Sequence, residues 1–273
     1  MEIATGLAPG LGTGIGVSAI VVIVVLTLAF VVGKIRHRYR DIDVFWPLGF
    51  VAVAVSDFVM SSSATGSDTV QRVLLLVVVS LWGVRLAAHL GWRSRGEEED
   101  PRYVALMRGA KGRNETLYAI VVIYALQAAL MFFVSLSITV GMYATSPLRL
   151  LEIVGLVLWL VGFSFEAIGD FQLSRFLAKP ANRGHVMNQG LWSWTRHPNY
   201  FGDAALWWGI FFIASAGLWG FVTVLSPLVM NRLLTSVSGK PLLEGRMKNT
   251  REGYAEYLEK TSPFFPRPPR KTS

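Results

Sequence analysis

The sequence predicts an all-α protein, a polytopic transmembrane helical bundle of about seven spans with its N-terminus outside and its C-terminus in the cytoplasm. Three observations predict this fold class. Of the 273 residues, 52% are hydrophobic and only 16% are charged. Several apolar runs approach the length of about 20 residues that a helix needs to cross the hydrocarbon core. The basic residues collect in every second connection between those runs.

Seven apolar runs define the predicted spans. The second, sixth and seventh are short for a full crossing, so the last two are also compatible with half-spans or with one broken hairpin. The runs lie at residues 15–33, 44–60, 70–90, 116–143, 147–169, 200–216 and 221–235.

The Lys and Arg residues predict the orientation independently. Four stretches contain 22 of the 26 basic residues: residues 33–40, 91–115 and 170–199, and the tail after residue 235. Because cytoplasmic loops collect Lys and Arg, these four stretches are expected on the cytoplasmic side. The net charge of +8 then reflects topology and attraction to anionic lipid headgroups, and no nucleic-acid role is expected.

Several classes of site are excluded or disfavoured. The chain has no cysteine, which excludes disulfides, thiolate catalysis and Cys-ligated metal. The four histidines show no metal-ligand spacing, so no metal is expected. The N-terminal GLGTGIG alternates glycines every second residue, which is not the dinucleotide fingerprint, and it is interpreted as a flexible lead-in to a retained first helix. Residues 1–273 therefore form a single integral membrane domain.

The first polar cluster, FSFEAIGDFQLSRF, closes the fifth apolar run. Glu166 and Asp170 are four residues apart and would share one helix face, where two carboxylates repel unless a group bridges them. Arg175 is near enough in sequence to help. The cluster is either a solvated helix end with local ion pairs or a carboxylate pair that holds sugar hydroxyls or an amide of a ligand.

The second cluster, NQGLWSWTRHPNYFGDAALWWG, leads into the sixth run. A helix that begins near Asn199 or Tyr200 would present its N-terminus to a phosphate flanked by Arg196 and His197. Asp203 would share a face with Asn199. The alternative is an interfacial aromatic belt with snorkelling basic groups, formed by Trp192, Trp194 and Trp207.

A third cluster lies in the tail, where residues 238–266 are predicted to contain an amphipathic cytoplasmic helix closed by prolines. Its candidate binding residues are Glu244, Arg251, Tyr254 and Tyr257.

The fourth cluster lies in the N-terminal half of the chain. Asp43 stands at the entry of the second run, Asp57 lies inside that run, and Arg85 lies inside the third run, four residues before His89. Ionisable groups at membrane depth are costly and tend to be functional. Asp57 and Arg85 are therefore expected either to pair with each other or to face a cavity.

Together these motifs resemble a bacterial multi-span family allied to the steroid 5α-reductases. The resemblance rests on FEAIGDFQ, NQGLWSWTRHPNYFGD, SGKPLLE and the tail YAEYLEKTSPFFP, and in the N-terminal half on DIDVFW, LWGVRL and GEEEDPRY. It implies that residues 144–273 bind NADPH from the cytoplasmic side and that residues 1–143 form a pocket for a flat lipid enone. The active site would then face the cytoplasm from a bacterial inner (plasma) membrane.

The resemblance also assigns roles to residues. Glu166 and Asp170 take the positions of the family's Asn-x-x-x-Asp pair, with a departure at the first, and residues 199–203 take those of its Asn-Tyr/Phe-x-Gly-Glu motif. His185 stands where those enzymes have an arginine. Glu244, Tyr254 and Tyr257 substitute for their tail histidine and tyrosine.

The chemistry implied is hydride transfer from NADPH to the β-carbon of an electron-poor double bond, with a polar group that stabilises the developing enolate oxygen. The steroid enzymes use a Glu and a Tyr for this, and the nearest candidates here are Asp57, Arg85 and Asp43. Two alternatives are an S-adenosylmethionine-dependent methyltransferase of the isoprenylcysteine carboxyl type, which shares an Arg-His-Pro-x-Tyr-x-Gly turn, and a non-catalytic lipid-binding membrane protein.

Overall fold

The computed structural model of the chain describes residues 7–215, 217–237, 244, 247 and 251–269. Regular secondary structure throughout these residues is helical. Extended pairing in the same ranges is limited to isolated bridges, which join Leu7 to Ala144, His185 to Glu252 and Thr195 to Ser262. The predicted all-α fold is confirmed.

Five helical segments of the described chain are long and apolar enough to cross a membrane, which confirms an integral membrane protein. The fourth is continuous only through a π-helical turn, Ile120–Ala125. In chain order, with the short helix α4 among them, the elements are α1 Leu11–Arg36, α2 Ile42–Ser61, α3 Thr69–Arg93, α4 Pro101–Met107, α5 Glu115–Ala119, α6 Leu126–Met142 and α7 Arg149–Leu177.

The sixth and seventh predicted spans are shorter elements. The sixth is a helix of 17 residues, about 25 Å long at 1.5 Å per residue, and the seventh is broken into two helices and a π-helical turn at Leu233–Val237. The remaining helices are α8 Leu191–Trp194, α9 Pro198–Ala214, α10 Gly217–Val222, α11 Leu225–Arg232 and α12 Tyr254–Lys260. In the predicted tail helix, residues 238–250 lie outside the described residues except for Glu244 and Met247.

Two sequence-based boundaries are wrong. The predicted lead-in through Gly16 is helical from Leu11, since Gly10 caps the helix with a φ of 95° and the following glycines lie inside it. Helix α7 continues to Leu177, eight residues past its predicted end at residue 169. The continuation is amphipathic, and a search for apolar runs therefore could not detect it.

The chain divides into two compact units. The first, here called unit 1, comprises Met1–Glu152 and Ile213–Ser226. Its helices α1, α2, α3 and α6 pack against one another around buried side chains. Glycines permit the close approaches: a Cβ on Gly83 would lie 2.8 Å from the carbonyl oxygen of Pro47 in α2. The largest buried side chains of this core include Phe50, Leu75, Trp82, Met131 and Ile138.

The second, here called unit 2, comprises Ile153–Phe212 and Pro227–Ser273. Its core includes Trp159, Leu206, Trp207 and Ile210, all at most 3% exposed. Trp207 therefore does not belong to an interfacial belt.

The outward faces of the long helices are apolar. Ile20 on α1, Val70 on α3 and Leu150 on α7 are 62%, 62% and 74% exposed, and similar residues follow along the same helices. Contiguous apolar surface of this kind is unfavourable in water and is expected of helices that contact lipid.

Candidate functional site

A seam of glycines brings α7 and α9 together in unit 2. Gly155, Gly162 and Gly169 recur every seven residues on α7, and Gly202 and Gly209 do so on α9. A Cβ on Gly202 would lie 2.5 Å from both the Glu166 amide nitrogen and the Gly162 carbonyl oxygen. Small residues at this spacing let the two backbones touch, as is common between membrane helices.

Polar side chains line the end of this seam that carries the basic loops. The Asn199 amide donates a hydrogen bond from Nδ2 to Oδ1 of Asp170 at 3.2 Å, which joins α9 to α7. Glu166 and Asp170 are 3% and 5% exposed, so both are buried carboxylates. Two pairs of residues are four apart on a helix and therefore share a helix face, as predicted. They are Glu166 with Asp170 on α7 and Asn199 with Asp203 on α9.

Arg175 does not bridge these carboxylates. It is exposed, and it forms no ion pair within the described ranges. Helix α7 continues through Arg175, and five residues of helix rotate its side chain about 140° away from Asp170. The predicted contribution of Arg175 to the carboxylate pair is therefore wrong.

The turn before α9 is fixed by hydrogen bonds to α7. Gly190 adopts a φ of 60°, and a Cβ there would collide with the Gln172 side chain. Gln172 accepts the Leu191 amide through Oε1 at 3.0 Å. The Trp192 indole Nε1 donates to the Gly169 carbonyl oxygen at 3.0 Å. These contacts place Arg196 and His197 directly before the first turn of α9, which opens with proline, a residue suited to that position.

The C-terminal segment returns to the same turn. The Arg196 amide donates to the Ser262 carbonyl at 2.9 Å, and the Thr195 hydroxyl donates to the Phe264 carbonyl at 2.7 Å. The Tyr257 hydroxyl donates to the Trp192 carbonyl at 2.7 Å. The tail is thereby held against the residues that precede α9.

A cavity of about 110 Å³ lies inside unit 2. Six residues predicted to bind the cofactor line it: His185, Arg196, His197, Arg251, Tyr254 and Tyr257. Sequence reasoning missed its apolar wall, because α7 was predicted to end before that wall begins and Trp192 was assigned to the alternative interfacial belt. That wall consists of Leu173, Phe176, Leu177, Val186, Met187, Trp192 and Met247.

Buried charge is concentrated beside this cavity. Glu244 approaches His197 Nε2 at 2.9 Å and Arg196 NH1 at 3.5 Å. The Arg196 side chain is 12% exposed, and its Nε is buried with no hydrogen-bond partner among the described residues. The His197 ring stacks on Tyr200 at a centroid distance of 5.4 Å. Arg196 thus retains a buried donor for which an anionic ligand would be a partner.

The two tyrosines of the cavity are neutral phenols at physiological pH. Burial, and then the nearby Glu244 carboxylate, raises the pKa of Tyr254 to about 12. Burial, followed by Tyr254, raises the pKa of Tyr257 above its ordinary value. Both rings therefore offer hydroxyl groups and aromatic faces without negative charge.

In unit 1, Asp57 lies in a buried cluster of hydroxyl groups. Ser18 Oγ on α1 is 3.1 Å from Asp57 Oδ1 and 3.0 Å from Oδ2. The same Oγ is 3.0 Å from Thr139 Oγ1 on α6. All three residues are fully buried.

Of the two alternatives expected for Asp57 and Arg85, their pairing with each other is wrong. Asp57 is four residues before the end of α2, whereas Arg85 is sixteen residues after the start of α3. Because α2 and α3 form an antiparallel hairpin, these positions differ by about 18 Å along the helix axes at 1.5 Å per residue. The two groups cannot act on one carbonyl oxygen.

Asp43 is engaged by neighbouring donors. Tyr103 on α4 donates its hydroxyl to Asp43 Oδ1 at 2.6 Å, and Arg102 NH2 lies 2.8 Å from Oδ2. Burial, and then the Asp43 carboxylate, raises the pKa of Tyr103. The contacts join α4 to the start of α2, and Tyr103 is a partner that sequence reasoning missed.

Arg85 and His89 lie four residues apart on the half of α3 that leads to the basic loop 93–113. Trp82, one turn earlier, is 5.9 Å from Phe50 between ring centroids, and Phe50 is 5.1 Å from Trp46. Arg85 is half-buried and lies one helical turn along α3 from these contacting aromatic side chains of unit 1.

The fold and these sites define a class: an integral membrane protein of long apolar helices with a cation- and aromatic-lined cavity in its C-terminal unit. The chain belongs to the DUF1295 family, described as a protein of unknown function, whose model matches residues 29–261. No curated protein and no solved structure matches the chain.

Proposed function

We propose that the protein is an NADPH-dependent membrane reductase that transfers hydride to a carbon–carbon double bond of a lipid or steroid-like substrate. One observation carries the proposal: six of the residues predicted to bind the cofactor line a single cavity in unit 2. These residues are far apart in sequence, from residue 185 to residue 257.

The lining residues suit one portion of NADPH. Arg196 and Arg251 can bind a phosphate through their N–H donors. The Arg196 Nε is buried and has no hydrogen-bond partner among the described residues, which favours an anion at this position. Trp192, Tyr254 and Tyr257 offer faces on which a ring can stack. A volume of about 110 Å³ is smaller than a dinucleotide, so the enclosed part of the site would hold a phosphate or one ring.

The chain must also stabilise charge on the substrate. NADPH, when bound, supplies the hydride, and the conjugated oxygen of the substrate then becomes negatively charged. A preorganised hydrogen-bond donor or a fixed cation stabilises such an oxygen. We assign this role to Arg85, because it is the cation among the three candidates and because Asp57 lies at the other end of the α2–α3 hairpin.

The proposal includes the topology. Seven spans, with α9 and the broken α10–α11 segment as the sixth and seventh, would place the C-terminus and the unit 2 cavity on the cytoplasmic side of a bacterial inner membrane. The basic residues of the sequence support this orientation.

A ligand panel tests the function. The purified protein in detergent is heated with NADPH, NADH or S-adenosylmethionine, since a ligand that binds only the folded state raises the melting temperature. Stabilisation by NADPH is expected. Stabilisation by S-adenosylmethionine alone would instead indicate a methyltransferase, and no response to any of the three would favour a non-catalytic lipid-binding protein.

The role of Arg85 is tested by turnover. Arg85→Ala should keep NADPH affinity and reduce NADPH oxidation driven by a membrane-lipid extract by about a hundredfold or more, the usual loss when one oxyanion donor is removed. Arg93→Ala, eight residues further along α3 and exposed, is the matched control and should oxidise NADPH at the parent rate. Normal turnover by Arg85→Ala would show that another group stabilises the oxygen.

A further inference from the structure

The buried cluster of Ser18, Asp57 and Thr139 has no part in the proposed reduction. The three residues come from α1, α2 and α6 of unit 1 and are all fully buried. They lie within about two turns of the helix ends opposite the basic loops. A carboxylate at this depth is costly unless a positive charge compensates it.

Among the described residues of unit 1, no side-chain cation provides that charge. Across residues 7–215, no Lys, Arg or His side chain lies within ion-pair distance of Asp57. The nearest cation on α3, Arg72, donates to the Phe58 carbonyl at 2.7 Å and lies over the Phe58 ring at 4.9 Å. The other titratable group is Tyr143, at the end of α6, whose ring packs against Gly14.

This cluster contains more close contacts between oxygen atoms than its two hydroxyl groups can satisfy with their protons. Ser18 Oγ is within 3.1 Å of four oxygen atoms: both carboxylate oxygens of Asp57, Thr139 Oγ1 and the Gly14 carbonyl oxygen. A serine hydroxyl has a single proton to donate, and Thr139 supplies a second. The Ser18 proton can be shared between the two Asp57 oxygens and the Thr139 proton can go to Ser18, but the contact between Ser18 Oγ and the Gly14 carbonyl oxygen is then left without a proton, so the cluster calls for a further positive species.

We propose that Asp57, Ser18, Thr139 and the Gly14 carbonyl form a binding site for one sodium ion. The donors are all oxygen, as hard cations require. Their total charge of −1 matches a monovalent ion, whereas a divalent ion would leave a net positive charge buried in the bilayer. Gly14, a buried residue of α1, contributes its backbone carbonyl oxygen, which already lies 3.0 Å from Ser18 Oγ.

The site should be entered from the membrane face opposite the basic loops. Asp57 is one turn from the end of α2, and Thr139 is three residues from the end of α6. The competing occupant is a proton on Asp57, so sodium should bind more weakly as pH falls.

The experiment measures thermal stability in detergent at equal ionic strength, with sodium chloride or choline chloride, at mildly alkaline and mildly acidic pH. Sodium should raise the melting temperature of the parent protein at alkaline pH, with saturation, and the increment should shrink at acidic pH. Asp57→Asn should abolish the sodium response. Thr139→Val keeps the shape of the side chain but removes one ligand, and it should need at least about tenfold more sodium for the same response.

Asp100→Asn is the matched control, because Asp100 caps α4 at the other end of unit 1 and should leave the sodium response unchanged. Equal stability in sodium and choline at alkaline pH would overturn the proposal and leave the proton as the occupant. A sodium response that persists in Thr139→Val and Asp57→Asn would place the ion elsewhere. If Asp57→Asn does not fold, direct binding of radioactive sodium is measured for the parent protein and for Thr139→Val. The proposal then requires weaker sodium binding by Thr139→Val than by the parent protein.

Discussion

Arg196 keeps a buried donor that the described part of unit 2 does not satisfy. Its NH1 lies 3.5 Å from Glu244, a long contact, and its Nε is buried without a partner in the described part of the chain. Buried donors are nearly always paired in native proteins. The unpaired Nε is therefore the strongest residue-scale indication that an anionic group binds in the cavity.

Arg196→Gln should weaken NADPH binding by about tenfold to a hundredfold. Hydrogen bonds to charged groups contribute about 1.5–3 kcal/mol, and 1.4 kcal/mol corresponds to tenfold in affinity. Affinity is measured by titration calorimetry in detergent. Arg183→Gln removes an exposed arginine from the same connection and should bind NADPH like the parent. Equal losses in both variants would mean that charge in general, and not Arg196, attracts the nucleotide.

Helix ends and helix seams decide where these side chains stand. On α7 and α9 the glycines at intervals of seven residues permit backbone contact, and the polar residues one turn away are thereby brought within hydrogen-bond distance, as Asp170 and Asn199 show. Residues that recur every seven positions stay in contact with the partner helix along its length only when the two helices cross at a small angle. The glycines thus set the geometry on which the candidate site depends.

Gly202→Ala should destabilise the protein by about 1–3 kcal/mol, the usual cost of overpacking. The added Cβ would meet backbone atoms of Glu166 and Gly162 at 2.5 Å, and backbone cannot move aside as a side chain can. Thermal unfolding in detergent gives the difference. Gly16→Ala is the matched control, since nothing lies within 4 Å of its added Cβ. It should be neutral or slightly stabilising, and a similar loss in both variants would refute the packing argument.

Asp68 caps α3 at the opposite face of unit 1 from the basic loops. Its Oδ1 accepts the Gln71 amide at 2.8 Å, and its Oδ2 pairs with Arg149 NH2 at 2.5 Å. Burial alone would raise the pKa of Asp68, but the Gln71 amide and the Arg149 guanidinium outweigh it, and the pKa lies below its ordinary value. The ionised carboxylate therefore stabilises the folded state at neutral pH, and this contribution is lost as pH falls through the lowered pKa.

Asp68→Ala should cost about 0.5–2 kcal/mol at neutral pH because it removes the cap. Asp68→Asn keeps a capping oxygen and loses only the partly exposed ion pair, which contributes less than about 1 kcal/mol. The difference between the parent and Asp68→Asn should narrow as pH falls below about 4, the ordinary pKa range of Asp. Denaturant unfolding at several pH values measures it, and a difference that widens at low pH would contradict the assignment. Glu97→Gln, at an exposed glutamate, controls for the loss of charge alone.

At the scale of the whole molecule, the sequence predicted the membrane-spanning helices, because each of them corresponds to an apolar run. The first five apolar runs lie in helices long enough to cross a membrane, because the bilayer leaves an apolar segment of about that length few other solutions. The extension of α7 to Leu177 was missed because amphipathic helix carries no continuous apolar signal. For the same reason the cavity wall at Leu173 and Phe176 was not predicted.

The candidate site was predictable in part. His185, Arg196 and Tyr257 were selected by motif, and the fold brings them to one cavity. Asp57 and Arg85 were grouped because both are charged and lie in apolar runs. The depth of a residue in the membrane also depends on the direction of its helix, and because α2 and α3 are antiparallel the two residues lie at different depths. The hydroxyl partners of Asp57 could not be predicted at all, since Ser18 and Thr139 are 39 and 82 residues away from it in sequence.

The membrane topology can be tested directly because the chain has no cysteine, and each single-cysteine variant therefore reports one position. Ser63 and Ser146 lie in exposed connections at one face, and Arg113 and Asn188 lie in exposed basic connections. With the N-terminus outside, Ser63→Cys and Ser146→Cys should react with a membrane-impermeant maleimide in intact cells. Arg113→Cys and Asn188→Cys should react only after the membrane is permeabilised, because Lys- and Arg-rich loops stay in the cytoplasm. The reverse pattern would invert the protein and place the unit 2 cavity outside the cell, where NADPH is not supplied. Labelling of all four positions in intact cells would show that these segments do not alternate across the membrane.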